Sequence, residues 1–188
     1  LLTHTPYRVS EARYRRRAGD GDRGRFLDGL EETDAVVAAL IDGLGARGLL
    51  ADTLVVLSSD HGQSFGEHGY WSHGSAITAE QVDVPLALTH PRLGQGEVEW
   101  SSHLDVLPTV LDLLGLAAPA GLGASIFHRR EPDLFLWAGQ PSRDSTSCFG
   151  LLHARRKWLI DVVTDRCLEM TWDDEDPIEL AGDERRYW

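Results

Sequence analysis

The chain contains, at residues 53–62, the stretch Thr-Leu-Val-Val-Leu-Ser-Ser-Asp-His-Gly. The apolar, β-branched first part of this stretch predicts a buried parallel strand over Leu54–Ser58. Asp60 and His61 follow at the carboxyl end of that strand, where open α/β sheets place their ligands. A carboxylate oxygen beside an imidazole nitrogen suits a divalent cation. The stretch therefore predicts a strand of an α/β sheet with a metal-binding pair at its end.

A glycine-rich loop follows this pair and carries two more histidines, His68 and His73. We interpret this loop as the wall of a metal-assisted hydrolytic site, because three histidines and an acid converge within one segment that a strand positions. Two other interpretations stay open. Asp60 alone is also typical of a helix N-cap, and a histidine beside glycine is typical of a loop. The same four side chains also suit a closed structural zinc site in a small non-catalytic domain.

Strands and helices alternate through the first two thirds of the chain. Helical spacing of apolar residues predicts a helix from Phe26 to Arg47, with Gly48 at its end. A second short buried strand is predicted at 85–90. A further helix is predicted at 103–115, with Asp105 as its N-cap. This alternation indicates an α/β sandwich with a mostly parallel central sheet.

The character of the sequence changes after Gly121. Short apolar runs separated by turn residues, with no helical pattern between them, predict a small antiparallel sheet. The runs are Leu134–Trp137, Phe149–His153, Lys157–Val163 and Cys167–Trp172. We therefore predict two parts, residues 1–120 forming the later part of an α/β domain and residues 121–188 forming a C-terminal antiparallel subdomain.

Composition excludes several classes of function. The 188 residues carry 18 basic and 30 acidic side chains, for a formal net charge of −12. This balance argues against a nucleic-acid partner and against a membrane surface, because both require basic residues. No run approaches the ~20 apolar residues of a membrane helix. Two widely spaced cysteines are expected to be free thiols, which leaves the compartment undecided between cytoplasm and periplasm.

An ordered set of motifs, taken together, resembles the sulfatases of the alkaline phosphatase superfamily. In chain order the motifs are His4-Thr-Pro-Tyr7, Asp52–Gly62, Gly66-Glu-His68-Gly69, Val84-Pro-Leu86, His103–Thr109, Arg155–Ile160 and Asp176–Ala181. The resemblance implies an alkaline phosphatase-like fold and hydrolysis of sulfate esters of small molecules or glycans. It implies one divalent metal, with calcium favoured and manganese or zinc as alternatives.

The resemblance also implies roles for particular residues. Asp60 and His61 match the later pair of the family's metal ligands, and His4 and His73 are candidate catalytic residues that contact the transferred group. Histidine at the second position of the pair also suits a phosphonate or phosphodiester hydrolase of the same superfamily. His103 and Asp105 are expected to position a helix start rather than to contact substrate.

Two parts of the family pattern have no match in this chain. Neither Cys148 nor Cys167 lies in the motif that yields the family's formylglycine nucleophile, and the early aspartate pair is absent. Met170 is the only methionine, and the chain opens on Leu1. We therefore expect a C-terminal portion of a longer hydrolase, whose partner is the upstream part of the same protein. The isolated chain is expected to have little or no turnover.

Overall fold

A computed structural model describes residues 3–121, 123–128, 133–139, 148–162, 164–172 and 178–180. The chain divides into two compact units, Leu1–Val56 with Leu88–Gly94, and Leu57–Ala87 with Gln95–Trp188. The predicted boundary near Ala120 stays a prediction. Among the described residues, no helix combines the length and the apolar character needed to cross a membrane.

The helices and strands predicted from the sequence are present within about five residues of their expected bounds, together with three short strands that were not predicted. The helices are α1 (Gly21–Ala46), α2 (Ala79–Val82) and α3 (His103–Leu113). The strands are β1 (Val55–Ser58), β2 (Ser64–Phe65), β3 (Trp71–Ser72), β4 (Leu86–Thr89), β5 (Leu134–Ala138), β6 (Cys148–His153), β7 (Arg156–Asp161), β8 (Arg166–Thr171) and β9 (Ile178–Glu179). Gly48 has a φ of 68° just past α1, as expected of a glycine that ends a helix.

The buried face of α1 is polar, which the apolar spacing did not predict. Asp28 accepts hydrogen bonds from the backbone and guanidinium of Arg17, each at 3.0 Å. Glu32 accepts hydrogen bonds from the hydroxyl and from the backbone nitrogen of Ser10, the latter at 2.8 Å, and the hydroxyl contact is the main cause that lowers the pKa of Glu32. Four apolar residues of the helix are instead exposed, namely Leu27, Leu30, Val36 and Leu40. The segment before the helix covers its polar side, so the apolar side faces solvent.

Strands β1 and β4 form a two-stranded sheet. They are the two strands that the sequence assigned to the central sheet. The parallel arrangement predicted for that sheet stays a prediction.

The C-terminal antiparallel sheet is confirmed. It has five strands in the order β5-β6-β7-β8-β9, each antiparallel to its neighbour. Its inner face buries Cys148, Leu159 and Met170 against Ile77, which lies just before α2. Gly150 permits this approach, because a Cβ there would lie 2.4 Å from the Ile77 side chain. The sheet therefore supports the segment that follows the glycine-rich loop. The Asp176-Pro177 motif lies outside the described residues.

Helix α3 begins differently from the prediction. Ser102, not Asp105, is the N-cap, and Asp105 is the third helical residue of a capping box with it. Asp105 is fully buried and also accepts a hydrogen bond from the Ala124 backbone at 2.9 Å. The acid therefore stabilises the helix start from inside the helix, and its second oxygen holds a neighbouring loop.

Candidate active site

Asp60 and His61 converge at the carboxyl end of β1. Oδ2 of Asp60 lies 3.7 Å from Nε2 of His61. The Asp60 side chain is 88% exposed and that of His61 39% exposed, so both are open to solvent. Nδ1 of His61 lies 2.9 Å from the Gly62 carbonyl oxygen, which can only accept. Nδ1 therefore carries the proton, and in the neutral ring Nε2 keeps the lone pair that a metal requires.

His73 joins this pair through ring stacking. Its ring lies 4.0 Å from that of His61, centroid to centroid, with an angle of 19° between the planes. Nδ1 of His73 is 2.9 Å from Oε1 of Gln63, which fixes the ring orientation. Two imidazoles and one carboxylate thus lie together, and the structure brings His73 to the predicted site.

The glycine-rich loop is held by its contacts with α2. The backbone nitrogens of Gly62 and Gln63 donate to the carbonyl oxygens of Gln81 and Glu80, at 2.9 Å and 2.6 Å. The buried Gln81 side chain accepts from the backbone of Ser75 and donates to the Ser64 hydroxyl, at 3.1 Å and 2.9 Å. A side-chain amide thereby joins both ends of the loop. No sequence pattern marked Gln81, because a buried amide is recognised only by its partners.

Two residues of the same loop have strained backbone conformations. His68 and Ser72 adopt positive φ angles of 52° and 68° without being glycine. Such conformations cost about 1–3 kcal/mol each and persist where surrounding contacts enforce them. Ser72 lies between Trp71 and His73, so its bend changes the direction of the chain immediately before the stacked histidine.

His68 contacts a different acid, Glu80 on α2. Its Nε2 is 3.6 Å from Oε1 of Glu80, and both side chains are largely covered. Among the described residues, no group of three or more His, Cys, Asp or Glu side chains could hold a metal ion. The described residues therefore do not assemble the closed four-ligand zinc site, and Asp60 with His61 forms a solvent-open carboxylate–imidazole pair.

A buried lysine lies near the same segment, on β7. Lys157 is the only lysine of the chain and is 0% exposed. Burial lowers its pKa to about 8, although the carboxylates of Glu80 and Asp83 act in the opposite direction. Its Nζ lies 5.1 Å from the centre of the Trp172 ring. Strand alternation with Leu159 was a sequence signal for this burial, because it places both residues on the inner face.

The ring of His103 contacts the backbone of Ser59, next to Asp60. His4, by contrast, belongs to the other compact unit. Nε2 of His103 lies 2.7 Å from the carbonyl oxygen of Ser59. His4 is exposed, and its Nδ1 lies 2.9 Å from the Thr5 carbonyl oxygen. The structure thus brings together Asp60, His61 and His73. The catalytic roles of His4 and His73 and the metal role of Asp60 and His61 stay predictions.

One family model and several known proteins match this chain in sequence. The family model described as Sulfatase matches residues 3–116. Choline-sulfatase of Rhizobium meliloti is 32% identical over 131 residues, which are 64% of this chain and 25% of that protein. The multifunctional alkaline phosphatase superfamily protein PehA of Trinickia caryophylli is 30% identical over 125 residues, 64% of this chain and 23% of that protein.

A solved structure shares the fold. The protein BT4656, in complex with D-glucosamine-2-N,6-O-disulfate, superimposes with a TM-score of 0.70 at 22% identity, over 81% of this chain and 34% of that one. The chain therefore spans about a quarter to a third of the relatives it matches. Because the family model covers more than half of the chain, in the segment that holds the aspartate–histidine pair, the chain belongs to the sulfatase family.

Proposed function

We propose that this chain is the C-terminal portion of a metal-dependent sulfatase that hydrolyses sulfate esters. The observation that carries the proposal is the convergence of Oδ2 of Asp60 and Nε2 of His61, at 3.7 Å, in a solvent-open position after β1. A hard oxygen and a proton-free imidazole nitrogen are a donor set that fits a divalent cation. Calcium, manganese and zinc are the candidate ions.

Each residue of the site has a proposed task. Asp60 and His61 would hold the metal, which when bound polarises the ester oxygens and stabilises the charge that develops on them. His73, oriented by Gln63 through Nδ1, would accept a proton at its Nε2 and, once protonated there, donate a hydrogen bond to the sulfuryl oxygens. His4 is proposed for the same kind of contact on sequence grounds alone. The stacked His61 and His73 rings would keep the two functions adjacent.

The rest of the catalytic machinery is proposed to lie on the upstream part of the same polypeptide. This includes the nucleophile and the first pair of metal ligands. The exposed apolar residues of α1 support the idea, since Val36 and Leu40 are 60% and 61% exposed and contiguous apolar surface is typical of an interface. The substrate is proposed to be a small-molecule or glycan sulfate ester, in line with the sulfated sugar bound by BT4656.

Metal binding by the 188-residue chain is the first test. Two protein ligands hold an ion weakly, so the probe is Mn²⁺, whose paramagnetism broadens nearby NMR signals even at low occupancy. We expect broadening centred on Ser59–Gly62, lost in Asp60→Ala and in His61→Ala. His128→Ala, which removes a 73% exposed histidine elsewhere, is the matched control and should change nothing at this site. Equal broadening in Asp60→Ala and in the unsubstituted chain would refute the metal pair.

Anion binding and turnover are the second test. With Ca²⁺ present, inorganic sulfate is expected to shift the ring signals of His73, and Asp60→Ala is expected to abolish the shift. Turnover of an aryl sulfate by this chain should stay at background with Ca²⁺, Mn²⁺ or Zn²⁺, because the nucleophile is proposed to lie upstream. Substantial turnover would show that the nucleophile lies within these 188 residues.

A phosphoryl ester is the second candidate substrate. Histidine at the second position of the metal pair favours it, and PehA, by its name, is multifunctional within the superfamily. Replacing sulfate by phosphate in the anion titration distinguishes the sulfate-ester activity from the phosphoryl-ester activity. A larger response of His73 to phosphate would favour the phosphonate or phosphodiester activity.

A further inference from the structure

We propose that His103 is a positioning residue for the Asp60–His61 pair, acting through the backbone of Ser59. The inference rests on the proposed metal function. It adds to the proposed metal site a residue that lies on α3. The contact carries it: Nε2 of His103 lies 2.7 Å from the Ser59 carbonyl oxygen, across 44 residues of sequence. Since a carbonyl only accepts, His103 donates from Nε2.

The start of α3 does not need this histidine. Ser102 and Asp105 form the capping box, with the Ser102 backbone nitrogen 2.7 Å from Oδ2 of Asp105. His103 is the first residue of the helix and is exposed. Its ring therefore has no role in capping or in the core. Its Nε2 donates instead to Ser59, the residue that directly follows β1. This departs from the expectation that His103 serves the helix start.

Fixing the Ser59 carbonyl fixes the residue that follows. The carbonyl oxygen of Ser59 and the Cα of Asp60 belong to one planar peptide group, so an anchored oxygen restricts the direction of the Asp60 side chain. The Ser59 hydroxyl adds a second restraint by donating to the His61 carbonyl at 2.8 Å. Asp60 itself is 88% exposed, and its carboxylate contacts the ring and the backbone nitrogen of His61. Its direction therefore depends on the backbone beneath it.

The test compares two amides at one position. In His103→Gln the amide nitrogen lies the same number of bonds from Cα as Nε2 does, so the hydrogen bond to Ser59 can be kept. In His103→Asn the nitrogen is a bond short and the contact is lost. With Mn²⁺ as probe, we expect the half-broadening concentration at Asp60 and His61 to rise about tenfold in His103→Asn, the size of effect typical of residues that orient metal ligands. His103→Gln should stay within about twofold of the unsubstituted chain, as a retained contact predicts.

A metal-free readout keeps the inference independent of the proposed function. Ring ¹⁵N shifts of His61 report its tautomer, which the unsubstituted chain holds with the proton on Nδ1. We expect His103→Asn to mix the tautomers and His103→Gln to preserve them. Thr109→Val is the control for a weaker α3, because Thr109 accepts from the Ile126 backbone at 3.0 Å, away from the site. It should lower thermal stability and leave both readouts unchanged.

The outcomes separate the two proposals. If the unsubstituted chain shows no Mn²⁺ broadening at Asp60 and His61, the metal pair fails and the tautomer comparison still decides the role of His103. If the unsubstituted chain does respond to Mn²⁺ and His103→Asn responds equally, or if His103→Asn keeps the His61 tautomer, the positioning role is overturned. The same holds if Thr109→Val reproduces the effect of His103→Asn, since the histidine would then act only through helix stability.

Discussion

Substitution of Lys157 should change how the stability of the chain depends on pH. Lys157 is the sole lysine, is fully buried on β7, and has a pKa lowered by burial from 10.5 to about 8. In the unfolded chain the same ammonium is hydrated and keeps its ordinary pKa. As the pH rises, the folded chain loses this proton first, so between about pH 8 and pH 10.5 the unfolded chain binds more protons. The free energy of unfolding therefore rises with pH in that window.

The expected size follows from the two pKa values. Their full difference corresponds to about 3 kcal/mol, reached only above pH 10.5. Between pH 7 and pH 9, where the measurement is practicable, the gain is about 1.3 kcal/mol. Cys148 acts in the opposite direction above pH 9, because burial raises its pKa to about 12 and the unfolded thiol then ionises first. The contribution of Cys148 cancels when the unsubstituted chain and a Lys157 variant are compared at the same pH.

The assay compares urea unfolding of the unsubstituted chain and of Lys157→Met at pH 7 and pH 9. The difference in unfolding free energy between the two proteins should shift by about 1.3 kcal/mol in favour of the unsubstituted chain at the higher pH. A direct check uses ¹³C-labelled lysine, whose single Cε signal should titrate near pH 8. A midpoint at or above pH 10, or a stability difference that does not vary with pH, would refute the argument that burial governs this ammonium.

Other substitutions and labels test the packing. Gly150→Ala should destabilise the C-terminal sheet by about 2 kcal/mol or more in urea unfolding, because its Cβ would lie 2.4 Å from Ile77 and 2.0 Å from the Trp158 carbonyl oxygen; an unchanged midpoint would contradict the close approach. The buried Cys148, with its pKa near 12, should react with a thiol reagent at pH 8 only after unfolding, and rapid labelling of the folded chain would count against its burial. Val36→Lys with Leu40→Lys should leave the midpoint of urea unfolding unchanged, since both side chains are exposed; a large loss of stability would show that they are packed.

Local patterns predicted the elements of the fold but not the faces that they bury. The alternating runs after Gly121 are strands within one or two residues of the predicted bounds, because alternation and turn residues are local properties. The spacing of Leu27, Leu30 and Leu40 also predicted a helix correctly, yet those side chains are exposed. Which face is covered depends on the segment that packs there, and Arg17 and Ser10 approach from outside the helix. Periodicity carries no information about that contact.

The candidate site shows the same division. Adjacency in sequence was enough to place Asp60 beside His61, and the glycine-rich loop was enough to suggest that His73 comes near them. The contacts of Gln81 and His103 with this loop connect residues far apart in the sequence, and each side chain is an ordinary one until its partner is known. Such contacts depend on tertiary packing, which is why the sequence assigned His103 to a helix start and did not mark Gln81.

The C-terminal sheet forms part of the scaffold of the candidate site. Its inner face packs against Ile77, which leads into α2, and α2 supplies the carbonyl oxygens that hold Gly62 and Gln63 directly after Asp60 and His61. Gln81 joins the two ends of the same loop. A displacement of Ile77 would therefore shift the backbone partners of Gly62 without any change in Asp60 or His61 themselves. On this argument Gly150→Ala should weaken Mn²⁺ binding as well as stability. If the folded fraction of this variant binds Mn²⁺ as well as the unsubstituted chain does, the sheet does not support the candidate site.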